Sequence, residues 1–376
     1  MLYHCYLRRL LATWHVIFLA LFLCLATLPT VCAASPLRTM LVCGGPNSDF
    51  YEILISLARE LKVLGLTRHA PLSNAATTED SEALWNWMSA HSEGKLLQFL
   101  ADGFYTADWD SNKSDAVLNA IRNRIENKKD VDLILAFGTW AGLEMSKLKT
   151  SVPVIVCGAT DPVHAGIVPS VSDSGKDNVV AVVEPGRFER QLELLHRIFG
   201  FRKLGITYTD TPSGRSCAAL DQIEKACARH DVELVSCTGN FFLNLDNKQI
   251  TDQMMACHKK LVDQHVDAVF ISYNSLDIGL WPYVLEPLIQ ANIPVISQTG
   301  QREVQMGALA GVSSYSNKEG RFVARLIHSL LKGAMPRSLP QKLISPMQLA
   351  INLRTAARIG WNPSLDVLMM VDQFFE

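Results

Sequence analysis

The sequence predicts an α/β protein with two doubly wound parallel-sheet lobes. Three observations carry this expectation. Short β-rich runs alternate with amphipathic helical stretches along most of the chain, the pattern of parallel strands joined by crossover helices. Several of those runs are apolar throughout, as strands buried on both faces are. The strands are also too many for one sheet of ordinary size, and 376 residues are enough for two or three domains.

The first strand covers residues 39–43 and ends at Gly44-Gly45-Pro46. A helix over 50–64 follows, with Ile53, Leu57, Leu61 and Leu64 on one face. Residues 96–100 read as a weaker strand, and 114–127 as a helix through Val117, Ile121 and Ile125. Buried strands at 131–137 and 152–157 flank a short helix at 140–148. The pattern then restarts with a strand at 179–183. The helix at 187–199 aligns Phe188, Leu192, Leu195 and Phe199. Strands at 204–208, 232–236, 268–272, 294–297 and 308–312 are interleaved with helices at 213–230, 251–264 and 276–291. The helix at 319–331 is the clearest, and Gly333 suits its C-cap. Residues 70–112 fit worst. They hold Trp85, Trp87, Phe104, Tyr105 and Trp109 among many polar residues, so a partly structured insertion at a lobe edge is expected.

Apolar residues at 48% and charged residues at 19% supply packed cores, not a disordered chain. Lys and Arg total 35 against 37 Asp and Glu, and this near-neutral balance argues against a dedicated nucleic-acid binder. Arg8 and Arg9 precede an apolar run at 14–28, which Pro29 breaks and small residues follow. This is the layout of an export signal over 1–34, and it is short for a transmembrane helix. Cys32 follows Pro29 and Val31, a poor lipidation motif, so cleavage and release are expected over lipid anchoring. Removing 1–34 takes two arginines and no acid, which leaves a net charge of −4.

Six cysteines then remain: Cys43, Cys157, Cys217, Cys227, Cys237 and Cys257. In the usual 2-1-3-4 strand order Cys43 and Cys157 lie two strands apart, about 10 Å at ~4.8 Å per strand. That exceeds the roughly 7 Å reach of a disulfide, so both are expected free. Pairing among Cys217, Cys227, Cys237 and Cys257 is left open. Cys227 with His230, and Cys257 beside His258, lack the repeated close pairs of a zinc site, and no metal is expected.

Parallel sheets bind ligands beyond the C-terminal ends of their strands. Six such tips can be read: 44–49, 138–141, 158–162, 208–211, 272–275 and 298–300. Each carries small hydroxyls or amides, several just ahead of a helix, where free backbone N–H groups hold a carboxylate or phosphate. Each position also reads as a helix N-cap. The case for a site is that the six fall into two sets of three, one per half, facing across a cleft. No nucleophile elbow, P-loop or dinucleotide fingerprint occurs, and the only histidine near a tip is His164. No catalytic residue, cofactor or enzymatic activity is expected.

Residues 132–139 (DLILAFGT), 152–162 (VPVIVCGATDP), 204–208 (LGITY), 267–270 (DAVF), 293–296 (IPVI), 307–310 (GALA), Gly320, 331–333 (LKG) and 350–360 (AINLRTAARIG) form a set. Together they resemble the ABC-transporter substrate-binding proteins of the tryptophan/tyrosine type, which have the type I periplasmic-binding fold. The resemblance runs from about 37 to 376 and is weakest between 66 and 130. It implies two lobes joined by a three-strand hinge, with a solute between them. Lobe 1 would be 37–159 plus 299–337, and lobe 2 would be 160–298 plus 338–376.

The implied function is an exported, periplasmic and monomeric receptor of an ABC import system. It would hold a small polar ligand, an amino acid with aromatic ones included, and serve a permease in the inner membrane. The alternative is an exported sensor subunit signalling to a membrane histidine kinase. In the resembling site, the ligand carboxylate takes N–H groups and hydroxyls at Asn47, Ser48 and Thr139, and its ammonium takes Asp161. Trp140 and Tyr273 stack on the ligand side chain, although Trp140 reads equally well as packing against the next helix. Thr160, Tyr208, Asn274 and Gln298 complete the expected lining. The sequence departs from the pattern at Trp140, where a small residue or Pro is usual, and in the aromatic 70–112 segment.

Overall fold

The computed structural model describes residues 35–68, 80–94, 96–241, 245–314 and 316–376, so the expected signal at 1–34 lies outside the described residues. The first sheet holds β1 (Leu37–Cys43), β2 (Leu97–Thr106), β3 (Leu133–Phe137), β4 (Val154–Cys157) and β5 (Val179–Ala181). Its order is β2-β1-β3-β4-β5 and every pair is parallel. The second sheet holds β6 (Lys203–Tyr208), β7 (Glu233–Thr238), β8 (Ala268–Ile271), β9 (Val295–Ser297), β10 (Ala310–Ser314), β11 (Met347–Asn352) and β12 (Gln373–Phe375). Its order is β12-β11-β10-β9-β8-β6-β7, parallel except between β10 and β11. The expected class, two doubly wound and mostly parallel sheets, is therefore present. Every residue of β3, β4 and β8 is buried, as their apolar runs require.

The helices are α1 (Ser48–Val63), α2 (Ser81–His91), α3 (Ser111–Asn123), α4 (Gly138–Lys147), α5 (Arg187–Phe199), α6 (Pro212–Cys217) and α7 (Leu220–Arg229). After them come α8 (Asn247–Asp263), α9 (Trp281–Gln290), α10 (Gln301–Gln305), α11 (Ser316–Leu331), α12 (Leu353–Arg358) and α13 (Leu365–Met370). Helix α1 starts at an Asn47 cap and buries Phe50, Ile53, Leu54, Leu57 and Leu61. Late in the chain, α11 returns to the first sheet and packs Val323, Ala324, Leu326 and Ile327 into the same core. Gly320 permits the approach: a Cβ there would stand 2.2 Å from the Ile53 carbonyl oxygen.

The chain passes between the sheets after β5, between β10 and α11, and again ahead of β11. Two of these passages run side by side: Val183 donates to the Gln341 carbonyl (2.8 Å) and Leu343 donates to the Val183 carbonyl (2.9 Å).

Several elements differ from the expectation. Strand β5, assigned by resemblance to the second lobe, pairs with β4 in the first sheet. The connection before it buries Ile167 and Val168 on that same sheet, so the chain does not leave until Val183. Strand β10, assigned to the first lobe, pairs with β9 and β11 in the second sheet. The segment read as an insertion instead supplies α2 and a full edge strand, β2, whose pairing with β1 shifts register between Thr39 and Leu41. A bulge of this kind is tolerated at a sheet edge. The helix expected over 213–230 is broken into α6 and α7 at Ala219, which has φ of 50°. Cys43 and Cys157 are free and buried, and Cys237 pairs with Cys257 at a Cα separation of 5.6 Å.

Candidate functional site

A cavity of about 1190 Å³ opens where the strand tips of the two sheets meet. In the first sheet, β3 runs directly into α4 through Gly138, whose φ is 88°. A Cβ there would meet the Phe50 ring at 2.6 Å, so only glycine allows the turn. Thr139 and Trp140, in the first turn of α4, therefore line the cavity. Strand β4 ends at Gly158 (φ 65°), which donates its N–H to Glu319 Oε1 at 2.7 Å, and Thr160 follows on the cavity wall.

After β1, Asn47 caps α1 with Oδ1 accepting from the Asp49 N–H at 2.7 Å, and its Nδ2 donates to the Tyr273 hydroxyl at 3.0 Å. Ser48 and Asp49 also face the cavity. Trp109 closes this side. Its Nε1 donates to the Pro46 carbonyl at 3.0 Å, and its ring covers Gly44 and Gly45, where a Cβ would lie 2.7 and 2.5 Å from ring atoms. Asp108 and Trp109 hold positive φ (51° and 56°), a strained turn that aims the indole back over the glycine pair.

The second sheet contributes Thr209 after β6, Tyr273 after β8 and Gln298 after β9. Tyr273 stands edge-on to Trp109, with centroids 6.4 Å apart. Gln298 positions its neighbours: Oε1 accepts from the Tyr273 N–H (2.8 Å) and Nε2 donates to the Cys217 carbonyl (2.9 Å).

Thus Asn47, Ser48, Thr139, Trp140, Thr160, Tyr273 and Gln298 converge on the cavity, and three expected residues do not. Asp161 lies at the cleft rim, accepting from Gln222 Nε2 (2.7 Å) and from the His164 N–H (3.0 Å). His164 in turn contacts Asp221 at 3.0 Å, so this edge joins the two halves. Tyr208 is 5% exposed, with the Arg215 guanidinium over its ring. Asn274 closes a local turn, donating to the Ser272 carbonyl and accepting from the Leu276 N–H.

Sequence reasoning passed over Trp109, Asp49, Arg187 and Glu319, all of which line the cavity. Trp109 lay in the segment flagged as anomalously aromatic, and Asp49 in a quoted tip. Arg187 carries a subtler signal: a cation in the first turn of a helix sits at the wrong end of the dipole. Enclosure by the cavity walls pushes the Glu319 carboxyl up to about 7, against the pull of the Gly158 N–H and Arg187. Asp49 reaches cavity water yet is ringed by protein, and this enclosure raises its pKa while Arg187 and Arg302 oppose it. Burial likewise raises the Tyr273 phenol. Among the described residues, no group of three His, Cys, Asp or Glu side chains is placed to hold a metal ion, and no helix is long and apolar enough to cross a membrane.

Two mostly parallel sheets meeting tip to tip over a cavity, with aromatic and charged side chains from both, define a cleft-type protein that binds small molecules. A family profile described as "ABC transporter substrate binding protein" matches residues 104–373, and the chain belongs to that family of substrate-binding proteins, which are not enzymes. The "Tyrosine-binding protein" of Clostridioides difficile is 24% identical over 229 residues, an alignment spanning 61% of this chain and 62% of that protein. A conserved domain protein from Vibrio cholerae shares the fold at a TM-score of 0.67 and 19% identity, covering 90% of this chain and all of that one. The ABC domain in complex with L-Trp from Streptococcus pneumonia does so at a TM-score of 0.65 and 17% identity, again covering 90% and 100%. These likenesses establish the type I periplasmic-binding fold.

Proposed function

We propose that this chain is the exported solute receptor of an ABC import system, that residues 1–34 are its cleaved signal, and that its ligand is an amino acid, the aromatic ones foremost. The sheet of β1–β5 with α11 forms one jaw and the sheet of β6–β12 the other. They close about the three passages of chain, and the filled receptor docks on a membrane permease. The carrying observation is the cavity, in which Trp109, Trp140 and Tyr273 line one space with Asp49 and Arg187. Aromatic rings there offer faces and edges to an aromatic side chain, and the charges suit a zwitterion. The tyrosine-binding relative and the L-Trp-bound structural neighbour support the same ligand class.

Melting the purified chain, without residues 1–34, in the presence of each of the twenty amino acids tests the reading. Ligand at about a hundred times its Kd adds ~2.7 kcal/mol to stability, a shift of several degrees, and L-tyrosine or L-tryptophan is expected to give the largest. A panel in which no amino acid moves the transition would overturn the proposal.

A further inference from the structure

Two opposite charges face this cavity from opposite jaws, and neither is neutralised. Arg187 opens α5 on the second jaw, and its buried Nε has no hydrogen-bond partner. Its guanidinium lies over the Phe188 ring, at 5.0 Å to the centroid, and makes no ion pair among the described residues. Asp49 sits in the first turn of α1 on the first jaw, and its carboxylate likewise has no hydrogen-bonded or ion-paired partner there. The two feel each other's field across the cavity without touching. The buried, unpartnered Arg187 Nε costs stability unless something else completes it, while the Asp49 carboxylate stands open to the cavity. Two of the residues the sequence offered for a charged head group are already engaged. Both ends of the Asn47 amide are used, one on the Asp49 N–H and one on Tyr273. Asp161 is committed to Gln222 and His164 at the rim.

We infer that Arg187 and Asp49 are the head-group clamp, with the ligand's carboxylate on the Arg187 guanidinium and its ammonium on the Asp49 carboxylate. This deepens the amino-acid reading and rests on it. Because the two anchors come from different jaws, a zwitterion that satisfies both ties the jaws together, whereas an amine or an acid alone satisfies only one. Charge-assisted and bidentate hydrogen bonds make this the strongest polar contact the cavity can offer.

Calorimetry on the whole mature chain tests the clamp with three probes: L-tyrosine, tyramine (no carboxylate) and 3-(4-hydroxyphenyl)propionate (no ammonium). Arg187→Gln is expected to weaken L-tyrosine at least tenfold and to leave tyramine within twofold of wild type. Asp49→Asn is expected to weaken L-tyrosine at least tenfold and to leave the propionate within twofold. Arg187→Lys, which keeps the charge but not the fork, should fall between Arg187→Gln and wild type. Melting curves verify that each variant folds, and the lysine variant carries the test if the glutamine one does not. Wild-type binding of L-tyrosine with both variants unchanged, or with all three probes weakened alike, overturns the clamp and leaves the amino-acid reading standing. A wild-type chain that binds no amino acid overturns both.

Discussion

In the first jaw, β3 and β4 are followed at once by Gly138 and Gly158, and the positive φ at each turns the next residues straight onto the cavity wall. In the second jaw, β6 ends in Tyr208, buried beneath Arg215, and β8 leads into Ser272, whose hydroxyl donates to the Thr207 carbonyl. The first set of tips is open and polar, ready to meet a solute. The second is partly satisfied within its own loops, and sends in Thr209, Asp210, Tyr273 and the amide that holds Tyr273 in place, beside Arg187 from the start of α5. The same strand-then-helix unit therefore serves two purposes. At Gly138 and Gly158 the turn presents the residues that follow, whereas Tyr208 and Ser272 brace their own tips. The jaws also differ in how they are held. The first depends on α11, delivered from near the end of the chain, while the second carries the Cys237–Cys257 disulfide.

The harshest way to break this contrast is Gly320→Val. A Cβ at 320 meets Ser56 Oγ at 1.9 Å, the Ile53 oxygen at 2.2 Å and the Leu57 nitrogen at 2.7 Å, and two of these are backbone atoms that cannot step aside. Helix α11 would have to lift from α1, at a cost of about 3 kcal/mol or more. If the jaws hold together separately, amide exchange should accelerate in α1, β1 and β3 and stay slow in β8 and β9. Equal acceleration in both sheets would make them one cooperative unit.

A milder perturbation targets charge at the same place. Glu319 titrates near 7 in the folded protein against an ordinary 4.5. Between those values the folded chain keeps a proton that the unfolded chain has released, so stability falls as pH rises through that window and stays low above it. Glu319→Gln keeps an oxygen to accept the Gly158 N–H and removes the ionisation. The variant should show a flatter stability profile from pH 5 to 8 and, at pH 8, a gain of about 2 kcal/mol in denaturant unfolding. A wild-type profile unchanged by the substitution would show that water in the cavity already solvates this carboxylate.

The fold was legible because strand burial and helix amphipathicity are local properties. The runs at 131–137 and 152–157 could hardly be anything but inner strands, and Asn47, Ser48, Thr139, Trp140 and Thr160 follow from reading where such strands end. What was not legible depends on contacts between distant segments. Asp161 has the composition of an ammonium ligand, but Gln222, which occupies its carboxylate, lies 61 residues away. Tyr208 and Asn274 fail for the related reason that a tip residue can point inward or cap its own turn. Strands β5 and β10 were assigned by resemblance to the lobes opposite the sheets they join; which sheet a strand pairs with is decided by contacts between distant segments, and its own run of side chains does not encode it. Arg187 stands apart, since its placement at a helix start was visible and only its significance was missed.

The smallest expected effect tests whether the two jaws communicate through the site itself. Tyr273→Phe removes the hydroxyl that accepts from Asn47 Nδ2 but leaves the ring against Trp109. The Asn47 amide is part-exposed and can turn to water, so the loss should be near the ordinary ~1 kcal/mol of one hydrogen bond. That bond joins the jaws, so its loss should weaken their closure on ligand and reduce the population competent to hold it. Ligand affinity is then expected to drop about fivefold while the melting temperature of the empty protein moves little. An unchanged Kd would relocate the coupling to the rim, where Asp161 meets Gln222 and His164 meets Asp221.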